Sequence, residues 1–406
     1  MIKHVSMAAL FWLWATVLPV LAAEFQVRDH DRVVLLGNTL IEREQKYGYW
    51  ETMLTARYPD FNMVFRNLGW SGDTVFGHAR AGFGSVADGF CHLKEHVISL
   101  QPSVIILGYG LNESFEGEAG LPRFLDGLNV LLDALASTKA RIVVLSPLRH
   151  ADLGRPMPDP TPHNKNLRQY ANALRTVSRK RGLVFVDLYD LLGNSDTMNS
   201  QAPLTDNGIH LTAFGYWNST PAIAKGLGLL PPNWHIEVGK GKITAHGVHV
   251  DPQSISLPSF LAHDAQLPFP PAPQEKSKSA GVPGSDRVVL VKNLPAGRFA
   301  LTVDGQIVAE GTSAEWAKGV VIARGPQFDQ VERLRAAIID KNRQYFYRWR
   351  PQNETYLFGF RKHEQGVNAR EIPQFDPLVE KLENEIAKLR VPAVHRYELK
   401  VVEMGK

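Results

Sequence analysis

Cysteine is almost missing from this chain, Cys91 being the only one among 406 residues. No intramolecular disulfide can form, so the fold must rest on burial, and 44% apolar residues in a chain this long suffice for that. Long hydrophobic runs are equally scarce. The one that occurs, Met7 to Leu21, is too short and too early to favour a permanent membrane span. Lys3 and His4 precede it and Ala22-Ala23 follow, so residues 1–23 read as an export signal, with an uncleaved N-terminal anchor as the alternative. The expected location is periplasmic or secreted. A dense run of one charge is lacking too. The net charge is +4, and the basic residues of the C-terminal third (Arg343, Arg348, Arg350, Arg361, Lys362, Arg370) are interleaved with acids. That is a mixed, solvated surface, and no nucleic-acid partner is expected.

What the chain does have is alternation. Five short apolar, β-branched runs, at residues 32–36, 63–66, 104–107, 142–145 and 183–186, are bounded by Gly, Pro, Asn or Asp, as buried strands are. Helical patterns lie between them, at residues 42–58, 87–100, 118–137 and 164–180, and another covers 212–225. Strands alternating with helices predict an α/β fold, a parallel sheet covered on both faces. After Pro231-Pro232 the texture changes. Residues 236–322 predict a small β-rich module with a linker at 263–286, and Asp304-Gly305 marks a hairpin turn inside it. Helices are expected at 327–343 and 376–389. The domains are therefore expected at 24–235, 236–322 and 323–406, the last being helical and aromatic and packing on the core.

Four short segments stand out by their order: Gly37-Asn38-Thr39, Ser71-Gly72-Asp73, Tyr109 to Glu113, and Asp206 to His210. Each of the first three follows a predicted strand, so Thr39, Gly72 and Asn112 should gather at the carboxyl edge of the sheet, where such folds bind ligands. In that order the segments resemble the four blocks of the SGNH hydrolases, or GDSL-type esterases. The resemblance implies a flavodoxin-like sheet and acyl-ester hydrolysis. It places a nucleophile at Thr39, a base at His210, and an oxyanion hole made of the Thr39 N–H, the Gly72 N–H and the Asn112 amide.

The chain departs from the family at two positions. Thr39 stands where the family has serine, and its methyl crowds attack. Asn207 stands where the family has aspartate. It cannot stabilise an imidazolium by charge and can favour the wrong imidazole tautomer, with Asp206 one step away as a substitute. Ser71 also carries a hydroxyl beside Gly72, but the family position it occupies is not catalytic. His92 and His96, beside Cys91 and Glu95, have a zinc-like spacing but no third ligand, and His246 and His249 form no set either, so no metal or cofactor is expected. The aromatic-basic segment 345–366 suits sugar stacking and hydroxyl recognition through Trp349, Arg350, Asn353, Arg361 and His363. Alternatively it docks the tail onto the sheet domain, which would bury Trp349 and Phe358. The expected activity is deacylation of a carbohydrate or small ester. The alternatives are a weak or inactive glycan-binding protein using the same cleft, and a structural partner of another exported protein.

Overall fold

Buried β-branched runs become strands only if both faces are covered, and here they are. The computed structural model describes residues 25–192, 203–239, 241–273 and 287–402. The export signal at 1–23 and most of the linker at 263–286 lie outside the described residues. Strands β1 (Arg32–Gly37), β2 (Val64–Asn67), β3 (Val104–Gly108), β4 (Arg141–Leu145) and β5 (Val184–Val186) form one parallel sheet in the order β2-β1-β3-β4-β5. The helices before the linker are α1 (Thr39–Tyr47), α2 (Tyr49–Arg57), α3 (Val86–Ser99), α4 (Gly117–Leu135), α5 (Thr161–Arg181), the single turn α6 (Leu188–Leu191) and α7 (Ala213–Gly226). Alternate residues of each strand serve opposite layers. Val33, Leu35 and Ile106 meet Ile41, Trp50, Tyr216 and Trp217 of α1, α2 and α7. Val34, Leu36 and Ile105 meet Leu93, Phe124, Leu131 and Leu174 of α3, α4 and α5. The expected α/β sheet, flavodoxin-like in strand order, is the fold observed.

The helical pattern expected at 42–58 is two helices instead. Gly48 ends α1 at φ +65°, and its N–H returns to the Glu44 carbonyl at 2.7 Å, so the chain turns there before α2 begins.

The remaining strands are β6 (His235–Val238), β7 (Ile243–His246), β8 (Val248–Val250), β9 (Ser259–Asp264), β10 (Val288–Val291), β11 (Arg298–Val303), β12 (Gln306–Thr312), β13 (Val320–Val321) and β14 (Val394–Val401). They make two sheets, β13-β10-β6-β7 and β12-β11-β14-β9-β8. The inner residues of both sheets, among them Trp234, Ile236, Val289, Phe299, Val303 and Tyr397, join Trp316 of α8 (Ser313–Lys318) in one core. The β11–β12 turn has Asp304 at φ +50° and Gly305 at φ +82°, the signs that a two-residue hairpin of the primed type requires. Strand β14 was not anticipated. It lies between β11 and β9, both far away along the chain.

Helices α9 (Pro326–Trp349) and α12 (Phe375–Leu389) join this module to the parallel sheet. The single turns α10 (Glu354–Leu357) and α11 (Lys362–Gln365) lie between them. Lys341 of α9 is buried against Glu51 of α2, with Nζ 2.8 Å from Oε1, and also donates to the Phe65 carbonyl. Arg66 of β2 pairs with Glu383 of α12 at 2.5 Å. Among the described residues no helix is long and apolar enough to cross a membrane.

Candidate functional site

The register of the sheet aligns the ends of the strands that carry the motifs. Gly37 pairs with Gly108, and Leu35 with Asn67, so the chain leaves β1, β2 and β3 at one edge, with the β1–β3 switch point in the middle. The Asn38 N–H spans that point to the Gly108 carbonyl at 3.2 Å. The Asn38 side chain caps α1 by accepting from Leu40 N at 3.1 Å, which makes Thr39 the first helical residue. Its N–H is one of the donors a helix N-terminus leaves unpaired. Its side chain is half-buried, and its hydroxyl has no hydrogen-bond partner among the described residues.

The second block lies beside it. Trp70 N–H donates to the Gly37 carbonyl at 2.9 Å, and Ser71 N–H donates to Glu42 on the first turn of α1 at 2.5 Å. Gly72 has φ +78°, and a Cβ there would meet open space, so the backbone conformation is what calls for glycine. The Gly72 N–H has no partner among the described residues. Asn112 of the third block reaches over to donate one amide hydrogen to the Asp73 carbonyl at 2.7 Å, leaving the other hydrogen free.

Two buried carboxylates that the sequence analysis passed over hold these loops. Asp73 accepts from Arg80 Nε at 2.7 Å and from the Tyr109 hydroxyl at 2.9 Å. Glu113 accepts from Val75 N and Gly110 N, each at 2.9 Å. Burial pushes the Glu113 carboxyl up to about 7 against the pull of those backbone N–H groups. The signal for both was adjacency, since each acid sits next to a motif residue.

The fourth block departs from catalytic geometry. Asn207 Oδ1 accepts the backbone N–H groups of His210 at 3.0 Å and Ile209 at 3.3 Å. That fixes the amide, so its Nδ2 is the group 3.0 Å from His210 Nδ1. An amide N–H pointing at Nδ1 makes Nδ1 the bare nitrogen and puts the hydrogen on Nε2. A triad histidine has the opposite tautomer, with Nδ1 protonated and Nε2 free to take a proton. Asp206 does not step in. Its carboxylate lies 2.5 Å from the guanidinium of Arg43, one turn beyond Thr39 on α1. Burial, and then the Arg43 charge, hold the His210 imidazole below its ordinary value, with Asp206 offsetting part of that. In this state His210 is a neutral hydrogen-bond donor.

The segment expected to bind substrate is split. Residues 345–349 are the last turns of α9, because Ile338, Asn342 and Tyr345 continue its buried stripe at helical spacing. Trp349 packs edge-on against Trp70 and His96, and Arg350 lies 3.7 Å over the Trp70 ring while pairing with Glu42 at 3.0 Å. Through Trp70 and Glu42 these two residues touch the second block. Asn353 donates to Gln365, Arg361 pairs with Glu364 and the Tyr356 hydroxyl, and His363 is exposed beside Glu364, all contacts within the segment. Phe358 is not buried: it is 53% exposed, because its neighbour Leu357 takes the inward position of the single turn α10. Phe360 is exposed as well and meets the exposed Phe83 of the loop after the second block, ring centroids 5.4 Å apart.

Sequence reasoning also missed two histidines. His150, just beyond β4, contacts Gly208 inside the fourth block, where a Cβ would come within 2.9 Å of its Nε2. His163 of α5 lies between His150 and Ser114. No local motif marks either, but His150 follows a predicted strand at the ligand-binding edge. His92 Nδ1 lies 3.0 Å from the Arg80 carbonyl, and among the described residues no group of three or more His, Cys, Asp or Glu is placed to hold a metal.

Comparison with known proteins agrees with the strand order. Residues 36–217 match the model of the GDSL-like Lipase/Acylhydrolase family. Among solved structures the chain is similar to BT4096, a gut microbial diltiazem-metabolizing enzyme, with 16% identity and a TM-score of 0.72 over 94% of this chain and 99% of that one. At that identity the likeness is one of fold, and it takes in the C-terminal modules. The acetylxylan esterase Axe2 of Geobacillus stearothermophilus aligns with 50% of this chain and 96% of its own at 16% identity, with a TM-score of only 0.41. No curated protein matches the sequence. The likeness to the GDSL-like lipase/acylhydrolase family is carried by residues 36–217, a little under half of the chain.

Proposed function

We propose that this protein is an exported hydrolase that removes an acyl group from a carbohydrate or another small ester. The observation that carries the reading is the set of free donors at the sheet edge. The Gly72 N–H is unpartnered beside open space, the Asn112 amide keeps a hydrogen to give, and Thr39 opens α1 with its own N–H and a free hydroxyl. Donors gathered at one solvent-facing edge and not used within the protein are what an oxyanion requires. Residues 1–23 supply the export signal, and Trp349 and Arg350, which touch the second block through Trp70 and Glu42, are the side chains offered to a sugar. The test is hydrolysis of a short-chain nitrophenyl ester and of acetylated polysaccharides by the purified mature chain. Asn112→Ala should lower turnover by about 10²–10³, the usual loss for one oxyanion donor. Activity undiminished by that change would remove the oxyanion role.

One observation favours a second reading, a glycan-binding protein with little or no turnover. Asn207 holds His210 in the tautomer that cannot take a proton from Thr39. Under that reading acetylated oligosaccharides bind the wild-type chain and are not cleaved.

A further inference from the structure

If His210 carries its hydrogen on Nε2, the base must come from elsewhere. The hydrogen bonds around His150 can be followed to a definite answer. The Ser114 hydroxyl, fully buried, lies 2.6 Å from the Leu111 carbonyl, which can only accept, so Ser114 donates there. Its oxygen then accepts from His163 Nε2 at 2.8 Å. Burial, and then the neighbouring His150, push His163 down to about 4, so it is neutral and its Nδ1 is bare. Across 3.1 Å that bare nitrogen faces His150 Nδ1, which must therefore carry the hydrogen. His150 is left with an unprotonated Nε2, and no described residue donates to it. The chain from Leu111 through Ser114 and His163 fixes the His150 tautomer as an aspartate fixes that of a triad histidine, with Nδ1 protonated and Nε2 bare, but it adds no charge opposite the imidazolium. His150 is anchored by its backbone N–H to Asn164 at 2.8 Å, and its ring edge lies against Gly208, between Asn207 and His210. Ser114 is two residues beyond Asn112. The relay thus joins the third block to the fourth.

We propose that His150 is the general base of this site. It rests on the esterase reading above and replaces its base. In the step assigned to it, His150 Nε2 takes a proton from a water molecule as the water oxygen bonds to the acyl carbon, and the carbonyl electron pair moves onto the oxyanion held by Gly72 and Asn112. The tetrahedral intermediate then collapses, the ester C–O bond breaks, and the imidazolium returns the proton to the departing alcohol oxygen. The products are the acid and the alcohol, and no other reactant is needed. His163 and Ser114 are positioning residues that act through His150.

Two measurements on the intact mature chain test the assignment. Long-range proton–nitrogen NMR of the imidazoles should find His150 protonated on Nδ1 and His210 on Nε2, and a hydrogen on His150 Nε2 would overturn the proposal whatever the activity. In nitrophenyl-ester hydrolysis, His150→Ala should lower kcat by about 10²–10⁴, the range for loss of a general base, and should lose more than His210→Ala. Added imidazole should restore part of the His150→Ala rate, which a merely misfolded variant would not show. His163→Gln should lower kcat with KM unchanged. Wild-type hydrolysis that survives His150→Ala within threefold would defeat the base assignment alone, whereas no hydrolysis of any ester by the wild type would defeat the esterase reading and the base role with it.

Discussion

Replacing Asn207 by aspartate isolates one proton. In the wild type the Asn207 N–H meets bare Nδ1 of His210 at 3.0 Å. For His210 to act as a base, Nδ1 must carry the hydrogen, and two donors would then face each other in a half-buried site. Losing one hydrogen bond and leaving two donors unpaired costs roughly 2–4 kcal/mol. At about 1.4 kcal/mol per decade, the reactive tautomer is suppressed by a factor of roughly 30 to 1000. Aspartate removes that penalty and adds charge stabilisation of the imidazolium, and the reverse change in a serine protease costs about 10⁴ in turnover. The backbone need not move, because one carboxylate oxygen can accept from His210 N and Ile209 N as Oδ1 does now. The expected result for Asn207→Asp is a rise of about 10²–10³ in the His210-dependent part of kcat on a nitrophenyl ester, read as the share of the rate that His210→Ala removes, with little change in melting temperature. Adding Thr39→Ser removes the crowding methyl and should raise kcat more than the two single gains imply, since residues acting as a unit are not additive. If both variants fold and bind the ester but His210→Ala removes no more of their rate than of the wild type's, the tautomer argument is wrong.

Three further outcomes follow from other contacts. Lys341→Met strands the buried Glu51 carboxylate between α2 and α9, which should cost about 3–5 kcal/mol in denaturant unfolding; a loss under 1 kcal/mol would mean that water reaches the pair. Burial raises the Glu44 carboxyl to about 8 and Glu113 to about 7, so the folded state holds their protons more tightly than the unfolded chain does, and stability falls as pH rises towards those values. His163, His96, His150 and His210 are shifted downward, so their stabilising effect grows only up to about pH 6.5 and is constant above it. Melting temperature should therefore drop between pH 6.5 and 8.5, and Glu44→Gln should flatten the drop; an unchanged slope in that variant would contradict the assignment. Arg350→Ala frees Glu42, which holds the Ser71 N–H, and uncovers Trp70, so ester KM should rise several-fold with a melting shift of no more than a few degrees, whereas an unaltered KM would detach the C-terminal segment from the cleft.

The sheet was legible because its signal is local. Runs such as Val33 to Leu36 and Val104 to Leu107 are apolar on both faces, and their flanking turn residues set the ends to within a residue. The position of the site followed from the strand ends. The break at Gly48 was visible as a residue, but its left-handed turn follows from α2 folding back to bury Trp50 and Met53, which no window reveals. The strand Val394–Val401 alternates apolar and charged residues from Tyr397 to Val401, a local signal that the sequence reading passed over, whereas its place between β9 and β11 is set by chain entirely outside its own neighbourhood. His150 and His163 were illegible for the same reason. Their meaning lies in which nitrogen faces which partner across a fold that brings residues 114, 150, 163 and 208 together.

The two halves of the site are held by different kinds of structure, and this explains how one can change without the other. The proposed oxyanion donors come from turns pinned by deeply buried groups. Asp73 and Arg80 have fully buried side chains, and Glu113 binds two backbone N–H groups, so altering that half would expose unpaired charge in the core. The His210 tautomer, by contrast, hangs on one side chain in a five-residue loop, and asparagine and aspartate fit that place with nearly the same shape. A single substitution there exchanges donor for acceptor at no cost to the core. A relay that already ended at Gly208 could then take up the proton without any movement of the strands. On this reasoning Asn207→Asp and His150→Ala should compensate each other in the doubly substituted chain, restoring hydrolysis through His210. A double variant as inactive as His150→Ala alone would show that the cleft admits no base from the His210 side.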